Sequence, residues 1–407
     1  MSQMETSYSQ TSSFALHSRT FRFFMTGSLV SRVGDWMDYV ALNWAVLQFA
    51  DSPLYLGLIN ACRLIPTFLV SLPAGILADR YDRRKLLVGI QTGVMLFTFM
   101  LAYILAAGLP FWLFAAIVTG RAILTAMDPP IRNSLVANLV TENKMASAIA
   151  VNTTVINLSR IIGPAIAGAL LTLMDTSEIF WLTGFSSIIV VFTLLLIRPE
   201  SRSLQEPKKA RKGDIQEAIL YIKSSPTVQS LLILAIVPMT FGFPYTSMMP
   251  FFAKELMQLG PDGFGLLLSI SAIGALVGSG WLSLGQNGIQ AGKWLVCSIL
   301  LFGLTFLLFI FASHFFIASI AMFLVGLTSQ TYRTMSRIAL QKEVPDSLRG
   351  RILSIALMDR GFIPLGAILV GAIGSAFGPY WAGIVMGLGC ILTTLLVLSM
   401  RKQIWNL

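Results

Sequence analysis

Charged residues, histidines and cysteines are scarce in this chain of 407 residues. Only 12% of the residues are Asp, Glu, Lys or Arg, and there are 2 histidines and 3 cysteines. Soluble domains usually carry about 25% charged residues, so the composition excludes an ordinary soluble protein. Cys62, Cys297 and Cys390 lie in apolar stretches, which argues against a disulfide framework or a cysteine metal site. His17 and His314 are far apart in sequence and give poor support to a histidine-based metal or catalytic site.

The chain is instead rich in apolar residues, with 55% hydrophobic residues and a mean hydropathy of +0.76. A helix crosses about 30 Å of hydrocarbon with about 20 apolar residues, so about ten to twelve spans would fill this length. The composition predicts an all-α membrane protein that contacts lipids and a small-molecule substrate. The net charge of +10 does not indicate nucleic-acid binding, because the Lys and Arg residues lie in short loops between apolar runs.

Apolar runs broken by charged or turn residues predict twelve transmembrane helices in two six-helix bundles. We expect a disordered cytoplasmic tail (1–20), a first bundle (21–197), a cytoplasmic linker with a short amphipathic helix (198–227), a second bundle (228–401) and a cytoplasmic tail (402–407). The predicted spans are 22–49, 54–78, 86–107, 111–131, 146–173, 179–197, 228–252, 263–284, 291–312, 315–335, 351–374 and 380–400.

The loops between these spans alternate in charge. One set holds most of the Lys and Arg residues, including Arg132 and the basic stretch 198–223, whereas the opposite set holds mainly acidic residues such as Asp175 and Glu178. Since Lys and Arg accumulate in cytoplasmic loops, both termini and the linker are predicted to be cytoplasmic.

A weak internal repeat agrees with the division into six spans and six. When the sequence is shifted by 203 residues, Gly163 aligns with Gly366 and Gly168 aligns with Gly371. The two halves are therefore interpreted as copies of one helical module.

A run of charges follows the second predicted span. A glycine near a helix end permits close packing, an aspartate can face the N-terminus of another helix, and arginines hold a loop in the cytoplasm. The run resembles the cytoplasmic signature of the major facilitator superfamily, with Asp82 where many members have glycine. The residues concerned are Gly75, Asp79, Arg80, Arg83 and Arg84.

The resemblance implies that this run forms a cytoplasmic gate, in which Asp79 docks against the start of span eleven near Arg351. Asp128, near the cytoplasmic end of span four, is assigned to the same gate. The alternative is a basic loop that only orients the protein in the membrane.

Span five carries Arg160, Gly163, Pro164 and Gly168, with Ala167 in place of one usual glycine. This stretch resembles the Gly-Pro motif that is widespread in exporters of the superfamily, which favours export over import. Ordinary close helix packing would need the same small residues.

Three shorter stretches, 34–36, 52–57 and 349–352, resemble the bacterial enterobactin-exporter and macrolide-efflux-like group. The resemblance implies a monomeric transporter of the bacterial inner membrane that uses no cofactor and draws its energy from the proton gradient.

Charges within predicted spans are expensive and usually face a cavity. At 100° per residue, Arg32, Asp35, Tyr39 and Asn43 share a stripe about 80° wide on span one, and Asp38 lies about 60° off its edge. The stripe predicts one wall of a polar cavity. For Asp35, near mid-membrane, three interpretations stay open: a proton carrier, a structural partner of Arg32, or a direct contact to cargo. Asp38 is the second candidate for the carrier.

Other spans carry further charges. Arg121 could tune a carboxylate, bind an anionic cargo or form a buried salt bridge. Asp359 and Arg360 are candidates for charge pairing across the two halves. Arg63 and Arg333 receive no role from the sequence.

Together these features predict a secondary transporter that exports an amphiphilic small molecule, such as a drug or siderophore, by alternating access and proton antiport. No nucleotide-binding loop of the Gly-x-x-x-x-Gly-Lys-Ser/Thr type occurs in the sequence, so direct ATP coupling lacks support. An uptake carrier or a lysophospholipid flippase on the same fold is the alternative. A membrane-embedded enzyme or a channel fits the sequence less well.

The charge alternation can be tested with protease. Protease added to inverted membrane vesicles should cleave the stretch 198–223, and the same stretch should be protected in right-side-out vesicles. The stretch 255–262 should behave in the opposite way. Cleavage of both from the same side would mean that the number of spans between them is wrong.

Overall fold

A computed structural model describes residues 15–50, 52–197, 213–283 and 290–406, and this part of the chain is almost entirely helical. The helices of the first half are α1 (Arg19–Phe49), α2 (Pro53–Arg80), α3 (Arg83–Ala106), α4 (Phe111–Asn138), α5 (Met145–Leu170) and α6 (Thr176–Leu196). Those of the second half are α7 (Gly213–Ser224), α8 (Pro226–Val237), α9 (Tyr245–Met257), α10 (Pro261–Ser283), α11 (Ala291–Ile310), α12 (Phe315–Glu343), α13 (Asp346–Ala356), α14 (Phe362–Phe377) and α15 (Pro379–Met400).

Ten helical segments of the described residues are long and apolar enough to cross a membrane. Two of the ten are composite, Pro226–Met257 and Asp346–Phe377. Helices α1 and α2 are not in this set, although they contain 31 and 28 residues. In α1 the reason is physical, because Arg32, Asp35 and Asp38 interrupt its apolar character.

Two predicted spans are interrupted rather than continuous. Between α8 and α9 the chain makes a π-helical turn over Pro238–Gly242, and between α13 and α14 it makes a 3-10 turn over Leu357–Gly361. Proline has no backbone N–H and its ring clashes with the carbonyl four residues earlier. Pro238 starts the first interruption, and Pro364 follows closely on the second.

Helix α4 continues to Asn138, beyond the predicted end at 131. Arg132 was predicted to lie in a cytoplasmic loop, and this is corrected: its side chain is buried within the helical bundle, with 2% exposure. A bonded partner one turn earlier, Asp128, makes this burial possible.

The two halves of the chain meet through very close helix contacts. A Cβ atom at Gly57 on α2 would lie 2.6 Å from the carbonyl oxygen of Ala367 on α14. One at Gly371 on α14 would lie 2.8 Å from the carbonyl oxygen of Pro53. Both distances are too short for any side chain, so glycine is required at both positions.

Helices α5 and α10 make the same contact. A Cβ atom at Gly265 would lie 2.2 Å from the carbonyl oxygen of Pro164, and one at Gly168 would lie 2.6 Å from that of Pro261. The shift of 203 residues noted in the sequence carries the two α5 positions onto the two α14 positions. The internal repeat therefore corresponds to a repeated pair of interhelix contacts.

Both contacts involve the starts of α2 and α10, and we call this end of the molecule the proline end, after Pro53 and Pro261. Ser52 and Ser375 add a polar contact there, with their hydroxyl oxygens 2.7 Å apart. The backbone N–H of Leu54 donates to the Ser375 hydroxyl at 3.2 Å. At the proline end, the two halves are held together by backbone packing and hydrogen bonds.

Candidate functional site

A cavity of about 420 Å³ lies between the helices of the first half and is completed by second-half residues such as Phe243 and Ser247. Small-molecule sites usually enclose about 300–1,000 Å³, so the volume suits such a ligand. The lining includes two carboxylates, two guanidinium groups and several neutral polar groups. They belong to Asp35, Asp38, Arg63, Arg121, Gln91, Thr98, Thr125 and Thr246.

Asp35 supplies a carboxylate without a salt bridge. Its side chain is exposed to the cavity, and no ion pair within 4 Å reaches it from the residues that the structure describes. In particular, Arg32 does not pair with it. Arg32 is also absent from the cavity lining, and its Nε is buried without a hydrogen-bond partner. Of the three interpretations left open for Asp35, the structural pair with Arg32 is therefore absent from the described residues, and the predicted placement of Arg32 on the cavity wall is wrong.

Asp38 is held in a buried, two-pronged salt bridge with Arg121. The Arg121 Nη1 donates to Oδ1 at 2.5 Å and Nη2 donates to Oδ2 at 2.5 Å, while Nη1 also donates to the Thr98 hydroxyl at 3.3 Å. The side chains of Asp38 and Arg121 are 10% and 8% exposed. Of the three roles considered for Arg121, the structure contains the buried salt bridge, which links α1 to α4.

Tyr39 and Arg63 form a second, aromatic wall of the cavity. The guanidinium carbon of Arg63 lies 4.5 Å from the centre of the Tyr39 ring, a distance at which the ring face attracts a cation. Trp36 packs edge-on against Tyr39, with the ring centres 5.6 Å apart. The cavity therefore presents one cation on an aromatic platform as well as the unpaired carboxylate.

Asn43 does not reach the cavity, which corrects its predicted place on the polar stripe. It is fully buried, and its Nδ2 donates to the Tyr39 carbonyl at 2.8 Å. Asn60 on α2 donates to the Asn43 side-chain oxygen at 2.7 Å. At the level of Asn43, this face of α1 lies against α2 and not against the cavity. Asn43 therefore links α1 to α2 by a hydrogen bond.

Asp128 belongs to a buried network that ties α1, α3 and α4. Arg132 Nε donates to its Oδ1 at 2.6 Å and Nη2 donates to its Oδ2 at 2.7 Å. Gln91 Nε2 donates to the same Oδ2 at 2.7 Å, and Arg132 Nη1 donates to the Ser28 hydroxyl at 3.1 Å. Asp128 was assigned to the gate beside Asp79, but its carboxylate is fully engaged by Arg132 and Gln91.

The rest of the predicted gate is described in part. The side chains of Gly75, Asp79 and Arg80 lie outside the described residues, so a contact from Asp79 stays a prediction. Arg351 pairs with Glu217 of the linker helix α7 at 2.6 Å.

Two arginines of the same run bind the ends of neighbouring helices. Arg84 Nε donates to the Leu194 carbonyl at 2.8 Å, and its Nη2 donates to that of Leu195. Arg83 Nη1 donates to the Ser134 carbonyl at 3.5 Å. A positive side chain at the carbonyl end of a helix offsets the helix dipole, so these arginines stabilise the ends of α6 and α4.

Helix α5 carries the motif that resembles exporters. A Cβ atom at Gly163 would lie 2.5 Å from Cβ of Trp36, so α5 packs tightly on α1 beside the cavity. Pro164 and Gly168 contact α10 at the proline end, as described above. Arg160 lies near enough to Arg333 for the two positive charges to repel each other.

Asp359 and Arg360 lie in the 3-10 turn between α13 and α14. Both line a second cavity of about 230 Å³, together with Arg333 and Arg337 of α12. Within the described part of the chain, neither forms an ion pair with the first half, and the predicted pairing across the halves is corrected.

Sequence reasoning left Arg63 without a role and placed Arg132 in a loop. A signal for Arg132 was present, since Asp128 and Arg132 have the i,i+4 spacing of a helical ion pair. The partner of Arg63 is an aromatic ring on another helix, which no local pattern indicates.

Long apolar helices that surround a central polar cavity define a multi-pass membrane transporter. Residues 11–406 match the model of the transmembrane secretion effector family. The chain belongs to this family of the major facilitator superfamily, which confirms the resemblance seen in the sequence.

Curated relatives cover nearly the whole chain and are transporters. The chain is 29% identical to the staphyloferrin A transporter of Staphylococcus aureus, over 94% of this chain and 96% of the relative. It is 23% identical to the enterobactin exporter of Citrobacter koseri, over 94% and 92%. It is 22% identical to macrolide efflux protein A of Streptococcus pyogenes, over 84% and 86%.

Solved structures share the fold. A bacterial homologue of the human lysosomal transporter Spinster, in an inward-facing and occupied conformation, matches with a TM-score of 0.72 at 17% identity, over 96% of both chains. A nucleoside transporter matches with a TM-score of 0.75 at 16% identity, over 94% of this chain and 99% of the other.

The buried salt bridge can be tested by a double-mutant cycle. Removing one partner of a buried pair leaves an uncompensated charge and costs about 3–5 kcal/mol. Arg121→Gln should therefore lower the melting temperature of the purified protein by several degrees, and Asp38→Asn in the same chain should restore much of the loss. The matched control is Arg349→Gln, whose partner Asp346 is 86% exposed, and it should change the melting temperature little. Equal losses in Arg121→Gln and Arg349→Gln would contradict the pairing.

Proposed function

We propose that the protein is a twelve-helix, two-bundle secondary transporter that exports an amphiphilic small molecule by alternating access in exchange for protons. In this proposal it lies in the bacterial inner membrane with both termini in the cytoplasm, and it needs no cofactor. The observation that carries the proposal is the carboxylate of Asp35, which is open to the cavity and lacks a salt bridge in the described part of the structure.

A proton carrier must be able to gain and lose its proton during the transport cycle. Asp38 and Asp128 are each held in a salt bridge with an arginine. Asp35 lies in the electrostatic field of Asp128 and Asp38 as well as Arg132 and Arg32, and it is held by none of them. Whether the Asp35 carboxylate carries a proton therefore depends on whether the cavity holds water, cargo or neither. Proton entry would be driven by about 2.3 kcal/mol per charge per 100 mV, plus any pH gradient.

The proline end supports alternating access. The charge pattern of the loops predicts that this end faces the outside, because α2 and α10 both begin there after loops that hold few basic residues. With the two halves in contact at that end, the cavity is closed to the outside. Export would require the contacts of Gly57 and Gly371, and those of Gly168 and Gly265, to separate.

The direction of transport and the type of cargo have separate support. The chain is similar to an enterobactin exporter and to a macrolide efflux protein, and α5 has the exporter-like motif. The cavity combines aromatic walls at Trp36, Tyr39 and Phe243 with one free carboxylate and one guanidinium group. Such a lining suits an amphiphilic molecule that has both apolar and polar parts.

Asp35→Asn tests the proton carrier. The variant keeps the shape of the side chain but replaces one accepting oxygen by a donating NH2 group and cannot ionise. In proteoliposomes with an imposed pH gradient, efflux of a macrolide or of enterobactin should fall to background, while binding of the same compound should stay within a few fold. Asp346→Asn, at an exposed carboxylate, should transport at the wild-type rate. Wild-type, gradient-driven transport by Asp35→Asn would show that Asp35 is not the carrier.

A cross-link at the proline end tests alternating access. In a chain whose native Cys62, Cys297 and Cys390 are replaced by alanine, Ser52→Cys with Ser375→Cys should form a disulfide on oxidation, because the serine oxygens lie 2.7 Å apart. Transport should stop on oxidation and return on reduction. Ser52→Cys alone should be insensitive to the oxidant. Continued transport by the cross-linked protein would mean that this end need not open.

A further inference from the structure

The second cavity lies entirely within the second half of the chain. It encloses about 230 Å³ between α12 and the 3-10 turn that interrupts the span before α14. Neither the transport cycle proposed above nor the salt bridges of the first half gives it a role. Its lining is nevertheless one of the most strongly charged parts of the membrane domain.

Three arginines face this cavity against a single carboxylate. The arginines are Arg333 and Arg337, one helical turn apart on α12, and Arg360 on the 3-10 turn; the carboxylate is that of Asp359. Across the described residues, none of the three guanidinium groups forms an ion pair within 4 Å or a hydrogen bond. Arg360, Arg337 and also Arg160 of α5 each add positive charge at Arg333.

Such an arrangement is unfavourable unless something negative binds. An arginine within a membrane span costs about 2.5–3.5 kcal/mol on insertion scales, and like charges repel further. Arg337 and Arg360 are exposed and can be hydrated, but Arg333 is only partly exposed. By contrast, Arg121 and Arg132, which link helices of the first half, each have a carboxylate partner.

Arg333 is held in position by an aromatic ring. Its guanidinium carbon lies 5.4 Å from the centre of the Phe243 ring, and Phe243 also lines the large cavity. A cation is attracted to the face of an aromatic ring, and this contact leaves the N–H groups of Arg333 available for an acceptor. Phe243 thus lines the large cavity and contacts an arginine of the second one.

We propose that Arg333, Arg337 and Arg360 form a binding site for an oxyanion group, either a carboxylate or a phosphate. Planar guanidinium groups bind these anions through paired hydrogen bonds, and three of them in one cavity match a group with several anionic oxygens. The anion can come from a small molecule, such as an anionic part of the cargo, or from the phosphate of a lipid headgroup. Only the first source rests on the transport function proposed above.

The test measures binding without transport, so its failure is separate from a failure of proton coupling. The full-length protein is placed in nanodiscs of phosphatidylcholine, and citrate and inorganic phosphate are titrated by calorimetry at low and high salt. We expect saturable binding to one site that weakens at high salt. Arg337→Gln with Arg360→Gln should weaken it by at least about tenfold, since hydrogen bonds to charged groups are the strong ones.

The control variant is Arg349→Gln, which removes an arginine outside the cavity and should bind the probes as the wild type does. Arg337 and Arg360 are exposed, so their replacement should leave the melting temperature nearly unchanged and exclude misfolding as the cause. Arg333→Gln is measured as a third variant and should also lose binding.

A second arm distinguishes the two sources of the anion. Nanodiscs that contain phosphatidylglycerol are prepared with the wild type and the double variant, and the lipid that copurifies is quantified by mass spectrometry. Retention of phosphatidylglycerol by the wild type alone, without binding of citrate or phosphate, would assign the site to a lipid headgroup. If wild type and double variant do not differ toward any of the three probes, the proposed site does not exist.

Discussion

The architecture depends on two backbone-to-backbone contacts at the proline end. Gly57 and Gly371 bring α2 against α14, and Gly168 and Gly265 bring α5 against α10, at distances that no side chain could share. The α5–α10 contact and the α14–α2 contact use equivalent positions of the two halves, so the halves meet symmetrically. The polar cavity lies between the helices of the first half and is completed by second-half residues such as Phe243 and Ser247.

Charge is distributed unequally over this frame. The first half pairs four of its intramembrane charges, Asp38 with Arg121 and Asp128 with Arg132, and leaves Asp35 without a salt bridge among the described residues. The second half keeps three arginines, Arg333, Arg337 and Arg360, around a single carboxylate, that of Asp359. Asp35 and the arginines around Arg333 lie in the low dielectric of the membrane, where charges without salt bridges lower the stability of the protein. We therefore expect these charges to act on ligands rather than to stabilise the fold.

Much of this was accessible from the sequence, and the exceptions have physical reasons. The lengths of the apolar runs and the alternating charge of the loops predicted the helices and their order. The alignment of Gly168 with Gly371 predicted that these two glycines have equivalent surroundings. Local periodicity could not indicate where α1 turns away from the cavity, so Asn43 was placed on the wrong face. It also could not indicate pairing between distant helices, such as Asp38 with Arg121, since the partner of a buried charge is decided by tertiary packing.

The interruptions of two spans have a mechanical consequence. A π-helical turn at Pro238–Gly242 and a 3-10 turn at Leu357–Gly361 replace regular hydrogen bonds by poorer ones, so bending is easiest at these points. Both lie in the second half, whereas the first-half helices α1 and α5 run without a break. Bending at these two turns should therefore cost less energy than bending a regular helix such as α1, so they are the places where the second half can change shape as cargo passes.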